Sequence, residues 1–197
     1  MSLVDIYDSE MNLLGTAMLE QAHKEGLWHK NFHCWIVANG KVWLQKRSTL
    51  DFFPNKFDIS AAGHLEAGET PKQAGCREIE EELGFEVDEN NFEKMFTYKT
   101  VINIPNKINC EFCPTYTLLN DWDIANAILA PDEVAGLFEA NLEDLIELFA
   151  NEKESIEVSG MLNDGEALNT IIKKEDFVPR GDSYYLKVFT ALDRMIN

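Results

Sequence analysis

Four glutamates, Glu78, Glu80, Glu81 and Glu82, crowd one short stretch of this 197-residue chain. Thr70 reads as a helix N-cap, Pro71 as the first helical residue, and Gln73 completes a capping box with Thr70. Gly84 supplies a left-handed C-terminal stop. On the helix between them, at about 100° per residue, Glu78, Glu81 and Glu82 share an arc of about 100°. Cys76, Ile79 and Leu83 fall on the opposite side, toward a core. Glu78 then has like-charge neighbours at i+3 and i+4, each pair costing a few tenths of a kcal/mol. Arg77, four residues before Glu81, offsets one such conflict. A divalent cation removes them, because hard carboxylate oxygens gathered on one face suit Mg²⁺ or Mn²⁺. A solvated acidic face is the ordinary alternative for a charge run.

Written as a pattern, residues 63–85 are G-x5-E-x7-R-E-U-x-E-E-x-G-U, with Ile79 and Phe85 at the apolar positions. Nine constrained positions over 23 residues are far more specific than a lone glycine motif. The segment resembles the Nudix box, the signature of Mg²⁺-dependent hydrolases of nucleoside diphosphates linked to another moiety. The resemblance implies an α/β Nudix fold, a mixed sheet sandwiched between helices, with the box as a loop-helix-loop. It also implies that Glu78, Glu81 and Glu82 ligate the metal with the Gly63 carbonyl nearby. Arg77 and Glu69 would hold the loop and the helix carboxylates in place.

The likeness runs further, over residues 4–149 and more weakly around Phe177 to Phe189. Val4 to Tyr7, Gly15, His23 to His29, Leu44 to Arg47 and Phe57 to His64 resemble a Nudix subgroup close to isopentenyl-diphosphate isomerase. In those isomerases three histidines and a downstream glutamate build a metal site, matched here by His23, His29, His64 and Glu111. A second glutamate of that site is matched by Asn109. The reactive cysteine, two residues before the last histidine, is matched by Ala62. Protonating an alkene needs that acid/base group, so the resemblance favours hydrolysis over isomerization.

A formal charge of −18 disfavours nucleic-acid polymers and anionic membranes, which need clustered Lys and Arg. A small diphosphate remains an acceptable partner, because bound metal inverts the local field. No apolar run approaches a membrane span and no leader pattern opens the chain, so the cytoplasm is the default location. Length and 45% hydrophobic content suit a single domain, with a C-terminal helical extension over about 155–197. Cys110-x-x-Cys113 lacks a second pair for zinc, and Cys34 and Cys76 read as core positions, which favours reduced structural thiols.

Residues 4–7 and 13–18 read as strands. Phe32 to Ala38 and Lys41 to Gln45 are strands joined by an Asn39-Gly40 hairpin turn. Residues 48–57 are a loop over the site, and Phe57 to Ala62 a strand feeding the box. Residues 92–101 and 110–119 pair through a turn at Asn103 to Asn109, with Glu111, Cys113 and Thr115 on one face. Val134 to Phe138 is a strand, and Asn141 caps a helix to about Glu152. Residues 155–170 are ambiguous and read as one or two short helices, with or without a loop. Asp182 or Ser183 caps a last helix ending near Met195.

Hydrolysis of a phosphoanhydride bond is the expected chemistry: a metal-bound water attacks and a carboxylate, Glu81, Glu78 or Glu111, takes its proton. A non-catalytic binding protein of the same fold is the alternative from another class. Arg47 suits a phosphate clamp or an ion pair. His33 suits packing or exposure, and Trp28, Trp35, Trp43 and Phe53 suit the core more than base stacking. Substrate choice is expected from residues 48–57, 103–109 and 155–170.

Overall fold

The computed structural model describes residues 2–50, 53–105, 107–181 and 183–197. In chain order it has β1 (Leu3–Tyr7), β2 (Leu13–Met18), α1 (Leu19–Glu25), β3 (Trp28–Ala38), β4 (Lys41–Arg47), β5 (Phe57–Asp58) and β6 (Ala61–His64). There follow α2 (Pro71–Leu83), β7 (Phe92–Ile104), β8 (Lys107–Asn120), β9 (Val134–Asn141), α3 (Leu142–Ala150), β10 (Ile156–Leu162), β11 (Ala167–Ile172) and α4 (Tyr184–Ile196).

All strands join one sheet ordered β11-β10-β9-β4-β3-β1-β2, with β5 on β4, β6 on β3, and β8 between β3 and β7. The β3–β8 pair is parallel and its neighbours antiparallel, which makes the sheet mixed. Strand alternation sends Phe32, Cys34 and Ile36 to one face, packed with Ala74, Ile79 and Leu83 of α2. Trp35 and Val37 go to the other, packed with Leu145 and Leu148 of α3 and Val188 and Phe189 of α4. The sheet therefore lies between helices, as the Nudix fold requires.

The Asn39-Gly40 turn has φ of 49° and 76°, and Thr70, Gln73 and Gly84 cap α2 as read from sequence. Several boundaries differ. Phe57 to His64 is two strands, because the Ser60 hydroxyl replaces ladder bonds: it accepts from the Ile36 amide at 2.9 Å and donates to the Trp43 carbonyl at 2.6 Å. β7 and β8 run far into the expected turn, to Ile104 opposite Lys107, as β-branched Val101, Ile102 and Ile108 favour.

Residues 155–170 are not helical. β10 and most of β11 form a hairpin there, whose Asp164-Gly165 turn is a hairpin signal the helical reading passed over. Asn141 and Ser183 stand at the N-cap positions of α3 and α4 but make no side-chain cap bond; Asp182 lies outside the described residues. The four cysteines are free thiols, and Trp35, Trp43 and His33 are fully buried.

Candidate active site

The helix α2 lies against β6, and the fit between them sets the first cluster. Glu78 rests on the backbone of Gly63: a Cβ at that position would meet the Glu78 carboxylate carbon at 1.9 Å. Only glycine leaves that room. Glu82 accepts from Gln45 Nε2 at 3.0 Å and from the Ala62 amide at 3.4 Å. Glu78 and Glu82 are buried, whereas the Glu81 side chain is 58% exposed.

Arg77 ties the loop to the helix. It donates to Glu69 at 3.1 Å, to Glu78 at 2.8 Å, to Glu81 at 3.2 Å and to the His64 carbonyl at 3.0 Å. Burial lifts the Glu78 carboxyl to about 7 against the pull of Arg77. Burial, reinforced by Glu78, lifts Glu82 well above the carboxylate range. Both shifts describe carboxyl groups withdrawn from water. An oxygen-rich donor set in that condition suits a hard divalent cation.

A second cluster forms from four elements. His23 comes from α1, His29 from β3, His64 from β6 and Glu111 from β8. Strand register creates it: His29 lies opposite Glu111, and Asn31 opposite His64. One ligand atom of each of the four residues lies within 4.8 Å of the others. His29 Nδ1 sits 2.8 Å from the Leu27 carbonyl. A carbonyl only accepts, so Nδ1 carries the ring proton and Nε2 presents a lone pair.

The Nε2 atoms of His23, His29 and His64 are buried without a hydrogen-bond partner. Burial lowers His23 to about 3 and lowers His29, keeping both rings neutral. Burial alone would raise Glu111, but His64 at 3.4 Å and the other rings draw it below its usual range. Asn31 Nδ2 donates to it at 3.0 Å and Asn109 Nδ2 at 3.4 Å. Three imidazoles and one carboxylate converging with buried Nε2 atoms, the His29 one presenting a lone pair, are a set a metal ion would satisfy. Among the described residues this is the one such grouping found, and it holds no cysteine.

Both clusters border one cavity of about 570 Å³, which Gly63, His64, Glu78, Glu81, Glu82 and Glu111 help to line. Ser48, Leu50 and Phe53 line it too, as expected for the loop over the site; positions 51 and 52 lie outside the described residues. Lys107 and Asn109 contribute, but β10 and β11 do not, since they sit at the far end of the sheet. Arg47 lines the cavity and pairs with Asp58 at 2.8 Å. Asp58, Asn31, Gln45 and Arg180 are cavity residues that sequence reading did not single out. Asn31 and Gln45 lie in strands without any spacing signal.

A carboxylate row packed on a glycine strand, within a mixed sheet flanked by helices, defines a protein of the Nudix class. The family model described as "NUDIX domain" matches residues 27–159. An uncharacterised Nudix hydrolase of Clostridium acetobutylicum is 36% identical over 198 residues, covering 96% of each chain. The protein DR0079 of Deinococcus radiodurans matches in structure with a TM-score of 0.59 at 21% identity, over 77% of this chain and 90% of its own. A MutT NUDIX hydrolase of Burkholderia pseudomallei matches with a TM-score of 0.51 at 24% identity, over 60% and 86%.

The chain belongs to the NUDIX domain family and is a hydrolase acting on pyrophosphate bonds. Nudix hydrolases generally use divalent metals. The narrower likeness to the isomerase subgroup receives no support from these relatives. Among the described residues, no helix is long and apolar enough to cross a membrane.

Proposed function

We propose that this chain hydrolyses a phosphoanhydride bond in a nucleoside diphosphate derivative or a related small diphosphate, in the cytoplasm, with Mg²⁺ or Mn²⁺. Glu78, Glu81, Glu82 and the Gly63 carbonyl would hold the ion. One observation carries this reading: Glu82 is buried beside Glu78, and among the described residues its partners are the neutral Gln45 and the Ala62 amide. When bound, the cation neutralises diphosphate charge and acidifies a water.

The chain's own residues do the rest. Gln45 and the Ala62 amide orient Glu82, and Arg77 fixes Glu78 relative to the box loop. Glu81, the most exposed of the three, is best placed to take the proton from the attacking water. Glu78 is buried and takes the shorter Arg77 contact, 2.8 Å against 3.2 Å for Glu81, and Glu111 is held by Asn31 and Asn109, which makes them weaker rivals.

The imidazole cluster supports a second cation on His23, His29, His64 and Glu111. Elemental analysis after exposure to Mn²⁺ or Zn²⁺ should find a site that His29→Ala removes; equal metal content in that variant would refute it. The same cluster is what favours the isomerase reading, but Ala62 lines the cavity with a methyl group and offers no proton. A purely binding role would not need all three carboxylates on one helix face. Incubation with a panel of diphosphates decides: metal-dependent release of phosphate or nucleoside monophosphate supports hydrolysis, and an allylic isomer would overturn it.

A further inference from the structure

The C-terminal segment delivers a buried guanidinium to the cavity. Phe177 bridges to Phe57, and the Val178 amide donates to the Phe57 carbonyl at 2.9 Å. Tyr98 Oη donates to the Gly181 carbonyl at 2.8 Å. Between these anchors, Arg180 reaches Asp58: Nε to Oδ1 at 3.1 Å, Nη2 to Oδ1 at 2.9 Å and Nη2 to Oδ2 at 2.8 Å. The Arg180 side chain is 7% exposed and Asp58 2%. The guanidinium lies over the Tyr184 ring at 5.4 Å, and Tyr185 Oη is 3.3 Å from Asp58 Oδ1. Asp58 therefore fixes the plane of Arg180 rather than merely pairing with it.

Arg180 lines the same cavity as Glu78 and Glu82. Asp58 engages its Nε and Nη2 edge, and the Nη1 donors make no hydrogen bond to any described residue. Arg180 has no buried orphaned nitrogen, so this edge is open toward the cavity that the residue lines and is free to donate to a further acceptor. The acceptor that matches a guanidinium and enters a diphosphate hydrolase's cavity is a phosphate oxygen. A second role for the pair, as a staple of the C-terminal segment, is compatible with this but does not explain the idle edge.

We propose that Arg180, presented by Asp58, is a specificity-determining residue that receives a phosphate oxygen of the substrate not held at the α2 carboxylates. This rests on the reading of the cavity as a diphosphate site.

The test is calorimetric titration of methylenebisphosphonate, a non-hydrolysable diphosphate, in the presence of Mg²⁺. Wild type, Arg180→Gln, Arg180→Lys and Tyr185→Phe are compared, with Mn²⁺ affinity measured separately by electron paramagnetic resonance. Arg180→Gln should weaken the bisphosphonate at least about tenfold, Arg180→Lys about threefold, and Tyr185→Phe hardly at all. Mn²⁺ affinity should not change in any variant. If Arg180→Gln does not fold, Arg180→Lys decides on the same criterion. Wild-type affinity in the arginine variants would overturn the proposal and leave the diphosphate site standing. Failure of the wild type to bind the bisphosphonate at all would overturn both.

Discussion

The two ligand-bearing clusters of this protein are built in opposite ways. The carboxylate row comes from one turn and a half of α2, graded from buried Glu82 and Glu78 to exposed Glu81. The imidazole cluster draws single residues from α1, β3, β6 and β8 and is nearly closed to solvent, with His64 its most exposed member. In the first, burial holds the carboxyls of Glu78 and Glu82 above their usual range, and in the second it leaves three imidazole Nε2 atoms without a hydrogen-bond partner. They meet in β6, where Gly63 receives Glu78 and the next residue, His64, faces Glu111. A four-residue strand thus couples a site written in local spacing to one that exists only after the sheet has formed.

Breaking the carboxylate row should give the largest effect. Glu82→Gln is expected to lower turnover about 10³-fold, roughly 4 kcal/mol of barrier. Its thermal midpoint without metal should change little, because burial already holds the Glu82 carboxyl toward its neutral form and the amide has the same shape; steady-state assays and a melt check both. Asp58→Asn comes next, removing the charge that holds Arg180 and Arg47. It should cost about 3–5 kcal/mol of stability at pH 7 by urea unfolding. Burial alone would raise the Asp58 carboxyl, but the two guanidinium groups reverse this and hold it below its usual range. Its contribution is therefore present above the unfolded value of about 3.9 and is lost as pH falls toward the folded value. The wild type should converge on the variant when unfolding is repeated at decreasing pH.

Gly63→Ala probes the junction. A methyl group there displaces the Glu78 carboxylate, and activity should fall about 10–100-fold while the circular dichroism spectrum is kept. The smallest effect sharpens the other cluster. Asn109→Glu places a second carboxylate beside Glu111 and should raise metal affinity at the imidazole site about tenfold, measured by competition with a chelating dye.

The difference in construction also explains what could be read from the chain. The α2 carboxylates, the Thr70 capping box and the Gly84 stop were legible because helix periodicity and capping act within a few residues. Family resemblance brought His23, His29, His64 and Glu111 together; no local spacing links His29 to Glu111, which meet through parallel strand register. The Asp58–Arg180 pair, 122 residues apart, lies within two resembling segments, but neither local spacing nor the resemblance assigns these two residues a role. Residues 155–170 were misread because short apolar runs do not separate helix from strand without the turn, and Asp164-Gly165 was the turn.

The most direct test is mass analysis of products after incubation with Mg²⁺ or Mn²⁺ and a panel of nucleoside diphosphates, nucleotide sugars, dinucleotides and isopentenyl diphosphate. Wild type and Glu82→Gln are run side by side, with and without chelator. Expected is cleavage of a phosphoanhydride bond in at least one compound, abolished by chelator and by Glu82→Gln, while the imidazole cluster of that variant still binds metal. Full activity of Glu82→Gln, or turnover of isopentenyl diphosphate to its isomer, would contradict the assignment of hydrolysis to the α2 carboxylates.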